Sequence, residues 1–208
     1  SVAIMSPEQL RLTSSNFPSL AREQSALYPE FQQILSVFGM PEFWHRPAGF
    51  ETLCLIILEQ QVSLKSAASV YKKIESSLGE LPPARISDAT ENGLRALGIT
   101  RQKSRYLTTL ADAVQSGRLD LASLSAQSDA EAFHHLTQLP GIGGWTANVY
   151  LMSALGRPDL WPRGDLALIK AVRHFFPQAN DELLKEGARW TPLRSVAGRL
   201  FWHWYLCR

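Results

Sequence analysis

The chain has 208 residues and a formal net charge of +2, with 45% hydrophobic and 19% charged residues. That length holds one domain or two small lobes around a sizeable core, and that composition excludes a disordered chain. Leu53 to Leu58, the longest apolar stretch, is far too short to span a bilayer, no signal-peptide pattern opens the chain, and +2 alone does not imply a nucleic-acid partner. Strand-like alternation of apolar and polar residues is hard to find, so the expected class is all-α. Residues 1–45 read as less regular. The segment 51–61 is nearly solid apolar through Leu58 and reads as a central buried helix. Further helices are expected over 63–78, 87–97 and 100–115. The capping-box pair Ser128 and Glu131 opens another that ends near Leu139. The segments 144–155, 166–176, 181–190 and 194–205 complete the series, punctuated by prolines.

Two cysteines, Cys54 and Cys207, cannot make a disulfide framework or a four-cysteine cluster, which points to a reduced, cytoplasmic protein. Charge is uneven: residues 94–118 and 161–208 each carry a local excess of +4. Two such blocks can form a phosphate-binding face or be ordinary solvated helix surface, and charge alone favours the second. The five histidines show no metal-ligand spacing.

The informative string is Leu139-Pro140-Gly141-Ile142-Gly143-Gly144-Trp145-Thr146. One helix ends, a Pro-Gly turn follows and another helix starts at once. Main-chain N–H groups of such a turn and of the next first turn lack helical partners, and they carry the positive end of the helix dipole. That arrangement binds a phosphate without basic side chains. A Gly/Pro-rich loop, Trp161-Pro162-Arg163-Gly164-Asp165, follows about twenty residues later.

Together these motifs resemble the helix-hairpin-helix DNA glycosylase superfamily, and within it the DNA-3-methyladenine glycosylase II family of alkylation repair. Glu59-Gln60-Gln61-Val62-Ser63, residues 98–107, Asp165 to Lys170 and Trp190 to Ser195 are similar to further family blocks. The resemblance runs from about residue 45 to the end. It implies a compact form without an N-terminal β domain: two interleaved helical lobes flanking a cleft, the hairpin at about 129–155, and a catalytic Asp at the end of the Gly/Pro-rich loop. Asp165 is that aspartate. Strand-cutting members place a Schiff-base lysine where this chain has Trp145, so the resemblance implies a monofunctional enzyme that leaves an abasic site. It also implies no required cofactor and no iron–sulfur cluster.

By the same resemblance, Gln61 is the wedge that fills the gap left by a flipped base, with Gln60 as the neighbouring alternative. Trp145, Trp190, Tyr150 and Trp44 are the pocket candidates, because electron-rich rings suit a cationic base. Gly141, Gly143, Thr146, Ser63, Lys65 and Lys170 are candidates for backbone phosphates. Carbonyls of Thr137, Leu139 and Ile142 would hold a Na⁺ or K⁺. A tyrosine that some relatives carry four residues after Trp145 is Val149 here. The implied partner is damaged double-stranded DNA, met by a monomer with no membrane contact. A glycosylase for another lesion, a non-catalytic hairpin module and a helical scaffold remain the competing readings.

Overall fold

The computed structural model describes residues 10–208. They form helices and connecting turns, with no strand among the described residues. Eleven α-helices follow one another among the described residues: α1 Phe17–Leu27, α2 Pro29–Phe38, α3 Phe50–Glu59, α4 Leu64–Leu78, α5 Pro83–Ala96, α6 Arg101–Gln115, α7 Asp129–Thr137, α8 Gly144–Ser153, α9 Leu166–Phe175, α10 Asp181–Glu186 and α11 Arg194–Cys207. Packing divides the chain into two compact units. One joins residues 10–46 to Leu151–Arg208, and the other is the continuous stretch Pro47–Tyr150.

In the continuous unit α3 is the buried element. Phe50, Leu53, Cys54, Ile56, Ile57 and Leu58 are all buried, so polar residues appear only at its ends. Amphipathic α4, α5 and α6 contribute Ile74, Ile86, Leu94, Leu107 and Leu110 to the same core. Ser63 and Thr100 cap α4 and α6 by accepting from Ser66 N and Lys103 N. Helix α5 begins at Pro83, earlier than position 87, because proline is favoured in a first helical turn. Thr90 interrupts it with φ +61.

In the discontinuous unit α11 is the central element, with Val196 through Trp202 and Trp204 buried. Around it lie Phe31, Phe175, Trp161 and Trp190, whose ring centroids sit 4.9 to 6.4 Å from Phe201. Residues 10–46 are more regular than the sequence suggested. Phe17 and Ala21 on α1, and Phe31 and Ile34 on α2, face this core, and a proline stands in the first turn of each helix, Pro18 in α1 and Pro29 in α2. Residues 1–9 lie outside the described range. The expected single helix over 181–190 is instead α10 followed, after a left-handed Gly187, by a tight turn over Ala188–Trp190.

Candidate active site

The hairpin is built from α7, a six-residue turn and α8. Ser128 and Glu131 cap each other's backbone at the start of α7. The Leu139 carbonyl accepts from Ile142 N at 3.1 Å, which closes the turn, and the Gly143 carbonyl accepts from Ala147 N at 3.0 Å, which starts α8. Leu139 and Ile142 are buried, and Gly143 is exposed. Gly141 has φ +93, and any Cβ there would run into the Tyr106 ring. Glycine is therefore required at that position twice over, by conformation and by space.

Two neighbouring glutamines behave differently. Gln60 Nε2 donates to the Gly141 carbonyl at 2.8 Å and to Thr146 Oγ1 at 2.9 Å. The side chain of Gln60 is thus spent on the hairpin, which corrects its candidacy as a wedge. Gln61 is exposed, with φ +58. Thr146 is buried, and its hydroxyl accepts from Gln60. Lys103 Nζ donates to the carbonyls of Leu58 (2.7 Å) and Gln60 (2.8 Å), at the end of α3. Burial lowers the pKa of this amine from its ordinary value. Ser63 is the α4 cap, and Lys65 lies exposed in the first turn of α4. Tyr150 is fully buried, and its hydroxyl accepts from Gly49 N at 3.0 Å. It is a structural tie rather than a pocket wall. Trp145 is half-buried in the first turn of α8.

In the discontinuous unit, Asp165 ends a tight turn. Its N–H donates to the Pro162 carbonyl at 3.2 Å, and Gly164 takes the positive φ of +79 that such a turn needs. Trp161 anchors the loop, buried against Trp190 with its indole N–H on the Leu184 carbonyl at 3.1 Å. Asp165 then caps α9. Its Oδ1 accepts from Leu168 N at 2.9 Å and from Trp202 Nε1 at 3.2 Å. The Trp202 ring stacks on Trp44 (centroids 5.3 Å, 29° between planes). Arg199, one helical turn earlier, lies 4.5 Å from the Trp44 ring and donates to the Glu42 carbonyl at 2.8 Å. Burial pushes the Arg199 guanidinium down to about 10. An aspartate, two stacked indoles and a guanidinium are therefore assembled on one face.

Trp190 is not part of that assembly. It is fully buried, donates to Glu30 Oε1 at 3.0 Å and stacks on Trp161, so no base can reach it. Lys170 is exposed on α9, its amine 5.7 Å from the Tyr205 ring. The second basic block is also less available than its charge implies. Arg163 pairs with Glu186, Lys185 with Asp181, Arg189 with Glu30 and Arg194 with Asp159. Among the described residues no group of three or more His, Cys, Asp and Glu side chains is arranged to hold a metal ion.

Comparison with known proteins decides the family. A model of the HhH-GPD superfamily of base excision DNA repair proteins matches residues 54–192, more than half of the chain. The chain belongs to this superfamily. A DNA-3-methyladenine glycosylase of Bacillus subtilis is 30% identical over 184 residues, which is 81% of this chain and 59% of that protein. The chain thus spans less than two thirds of that relative's length. The crystal structure of a DNA-3-methyladenine glycosidase from Bacillus halodurans is similar with a TM-score of 0.75 and 28% identity, covering 94% of this chain and 93% of that one. A Schizosaccharomyces pombe 3-methyladenine DNA glycosylase in complex with abasic DNA shares the fold, with a TM-score of 0.77, 24% identity and coverage of 88% and 95%.

The HhH-GPD match contains the hairpin and Asp165, whereas Trp44 and Trp202 flank it on either side. Trp202 is the residue that reading the sequence missed. Almost every residue of α11 is buried, so periodicity gives no sign of which indole faces Asp165. The block from Trp190 to Ser195 gains a role. Arg194 Nε and Nη2 reach Asp159 Oδ1 and Oδ2 at 2.8 and 3.1 Å, Nη2 also reaches the Asp159 carbonyl, and Ser195 Oγ accepts from Leu160 N. These bonds hold the start of the loop that ends in Asp165.

Proposed function

We propose that this HhH-GPD protein is a monofunctional DNA N-glycosylase that releases alkylated bases such as 3-methyladenine and 7-methylguanine from duplex DNA and leaves an abasic site. The observation that carries this reading is the Asp165 carboxylate, fixed by the α9 N-cap bond and the Trp202 indole beside the Trp44 ring. Breaking the N-glycosidic bond develops positive charge on the sugar. A fixed carboxylate about 4 Å away stabilises that charge by roughly 4 kcal/mol at an effective dielectric near 20. A base alkylated at a ring nitrogen is already cationic and leaves without a general acid. Cationic bases also favour aromatic faces, by about 0.5–2 kcal/mol per ring, and the half-buried Trp44 and Trp145 are the rings for that contact. Trp145 occupies the place of the lysine that forms a Schiff base in strand-cutting members, and an indole cannot form one.

The hairpin serves as the phosphate anchor through main-chain N–H groups of Gly143 and the first turn of α8, a contact that carries no sequence information. Carbonyls of Thr137, Leu139 and Ile142 are neutral oxygens where α7 ends and the turn begins, a donor set suited to Na⁺ or K⁺. Exposed Gln61 enters the duplex in place of the flipped nucleotide. The test is an excision panel of alkylated, deaminated and oxidised bases in duplex DNA. Release of 3-methyladenine and 7-methylguanine, with no borohydride-trapped adduct, is the expected result. Release of uracil or 8-oxoguanine alone would assign the fold to a different lesion.

A further inference from the structure

The segment after α3 is built unusually for an exposed loop. Val62 and Leu64 are 47% and 49% exposed, although apolar side chains gain nothing from water. Gln61 adopts φ +58, a left-handed conformation that costs a non-glycine residue about 1–2 kcal/mol. Such a conformation persists only where its surroundings impose it. Here they do so on both sides of one peptide. Lys103 Nζ holds the Leu58 and Gln60 carbonyls, complementing the negative end of α3. Gln60 Nε2 is fastened to the Gly141 carbonyl and Thr146 Oγ1. Residues 61–64 therefore leave a point clamped to the hairpin itself.

We infer that Gln60 and Lys103 are positioning residues that join the 61–64 loop and the hairpin into one duplex-reading element. This inference rests on the glycosylase reading above. A phosphate seated on the hairpin then sets the depth at which Gln61, Val62 and Leu64 meet the duplex. Entering the base stack accounts for the exposed apolar pair, and the clamp accounts for the left-handed Gln61. The benefit applies only where a base must be pulled from a stacked duplex. A lesion in single-stranded DNA needs no such insertion.

The test compares single-turnover excision of 7-methylguanine from duplex and from single-stranded DNA by the wild type, Gln60→Leu, Lys103→Met and Lys103→Arg. Gln60→Leu keeps the side-chain volume and loses both donated bonds. The expected result is a loss of about tenfold to thirtyfold on duplex and of less than about threefold on single strands, the size that two lost neutral hydrogen bonds give. Lys103→Met should show the same split, and Lys103→Arg, which can still donate to both carbonyls, should restore the duplex rate. Combining Gln60→Leu with Lys103→Met should cost little more than either alone, since both act through one loop. Equal losses on the two substrates, or an unchanged duplex rate, would overturn the inference.

Amide exchange with a duplex containing a tetrahydrofuran abasic analogue gives a second readout that needs no catalysis and can use Gln60→Asn if Gln60→Leu does not fold. In the wild type, residues 61–64 and 141–146 should gain protection together, and in the Gln60 variant only the hairpin should. Joint protection in both proteins would also overturn the inference. A wild type that binds the analogue and shows the joint protection but releases no base would instead overturn the glycosylase reading and leave the coupling standing.

Discussion

Asp165 performs two tasks with one carboxylate, because Oδ1 takes both the α9 amide and the Trp202 indole. Replacing Trp202 by Phe removes the N–H but keeps an aromatic ring against Trp44. A hydrogen bond to a charged group contributes about 1.5–3 kcal/mol, so Trp202→Phe should slow excision by at least about tenfold. Single-turnover rates, with thermal melting as a control, check this. Trp190→Phe should do the opposite. It leaves Glu30 Oε1 without its indole partner in a buried setting, so stability should fall by about 1–3 kcal/mol while the folded fraction excises normally. Denaturant unfolding read beside activity separates the two tryptophans. Trp190 was legible as a tryptophan of interest, and Trp202 was not. Only the packing tells them apart, since composition is blind to which ring lies at the core and which beside the carboxylate.

The hairpin was legible as an element because Pro140, Gly141 and Gly143 punctuate two helical patterns, and α3 because its apolar run is unbroken through Leu58. Helices α1 and α2 were not, because only a few residues on each are buried and no motif marks them. The split between Gln60 and Gln61 was equally invisible. It arises from a change of backbone hand between adjacent identical residues. Gly141→Ala should destabilise the hairpin through the Tyr106 collision and the strained φ, by more than about 1 kcal/mol, visible as a lowered melting temperature with impaired DNA binding. The α7 capping box predicts a pH effect. Bonds from the Ser128 hydroxyl and amide hold the Glu131 carboxyl below its usual pKa. A depressed carboxylate stabilises the fold above its unfolded value, and the benefit disappears as pH falls through the folded value. Glu131→Gln should therefore melt below wild type at neutral pH, and the gap should close below about pH 4.

At the scale of the whole molecule, the near-neutral charge agrees with how the basic residues are used. Arg163, Lys185, Arg189 and Arg194 are committed to carboxylates within their own unit, and Lys103 to main-chain carbonyls. DNA affinity carried by hairpin amides and few lysines should depend weakly on salt. A slope of log K against log[salt] no steeper than about −3, equivalent to ~3 phosphates, is the expected outcome of a titration. The all-α class was readable from composition and pattern. The chain order of the discontinuous unit was not, since nothing local says that residues 10–46 share a core with α11. The central claim is that the fixed charge of Asp165 drives excision, and Asp165→Asn isolates it, because asparagine caps a helix as well as aspartate does. The measurement is single-turnover release of 3-methyladenine and 7-methylguanine from methylated duplex DNA by the wild type and this variant, with binding to an abasic-analogue duplex measured in parallel. A loss of about a thousandfold in excision, with DNA binding retained, is the expected result. Excision by Asp165→Asn at the wild-type rate would contradict it.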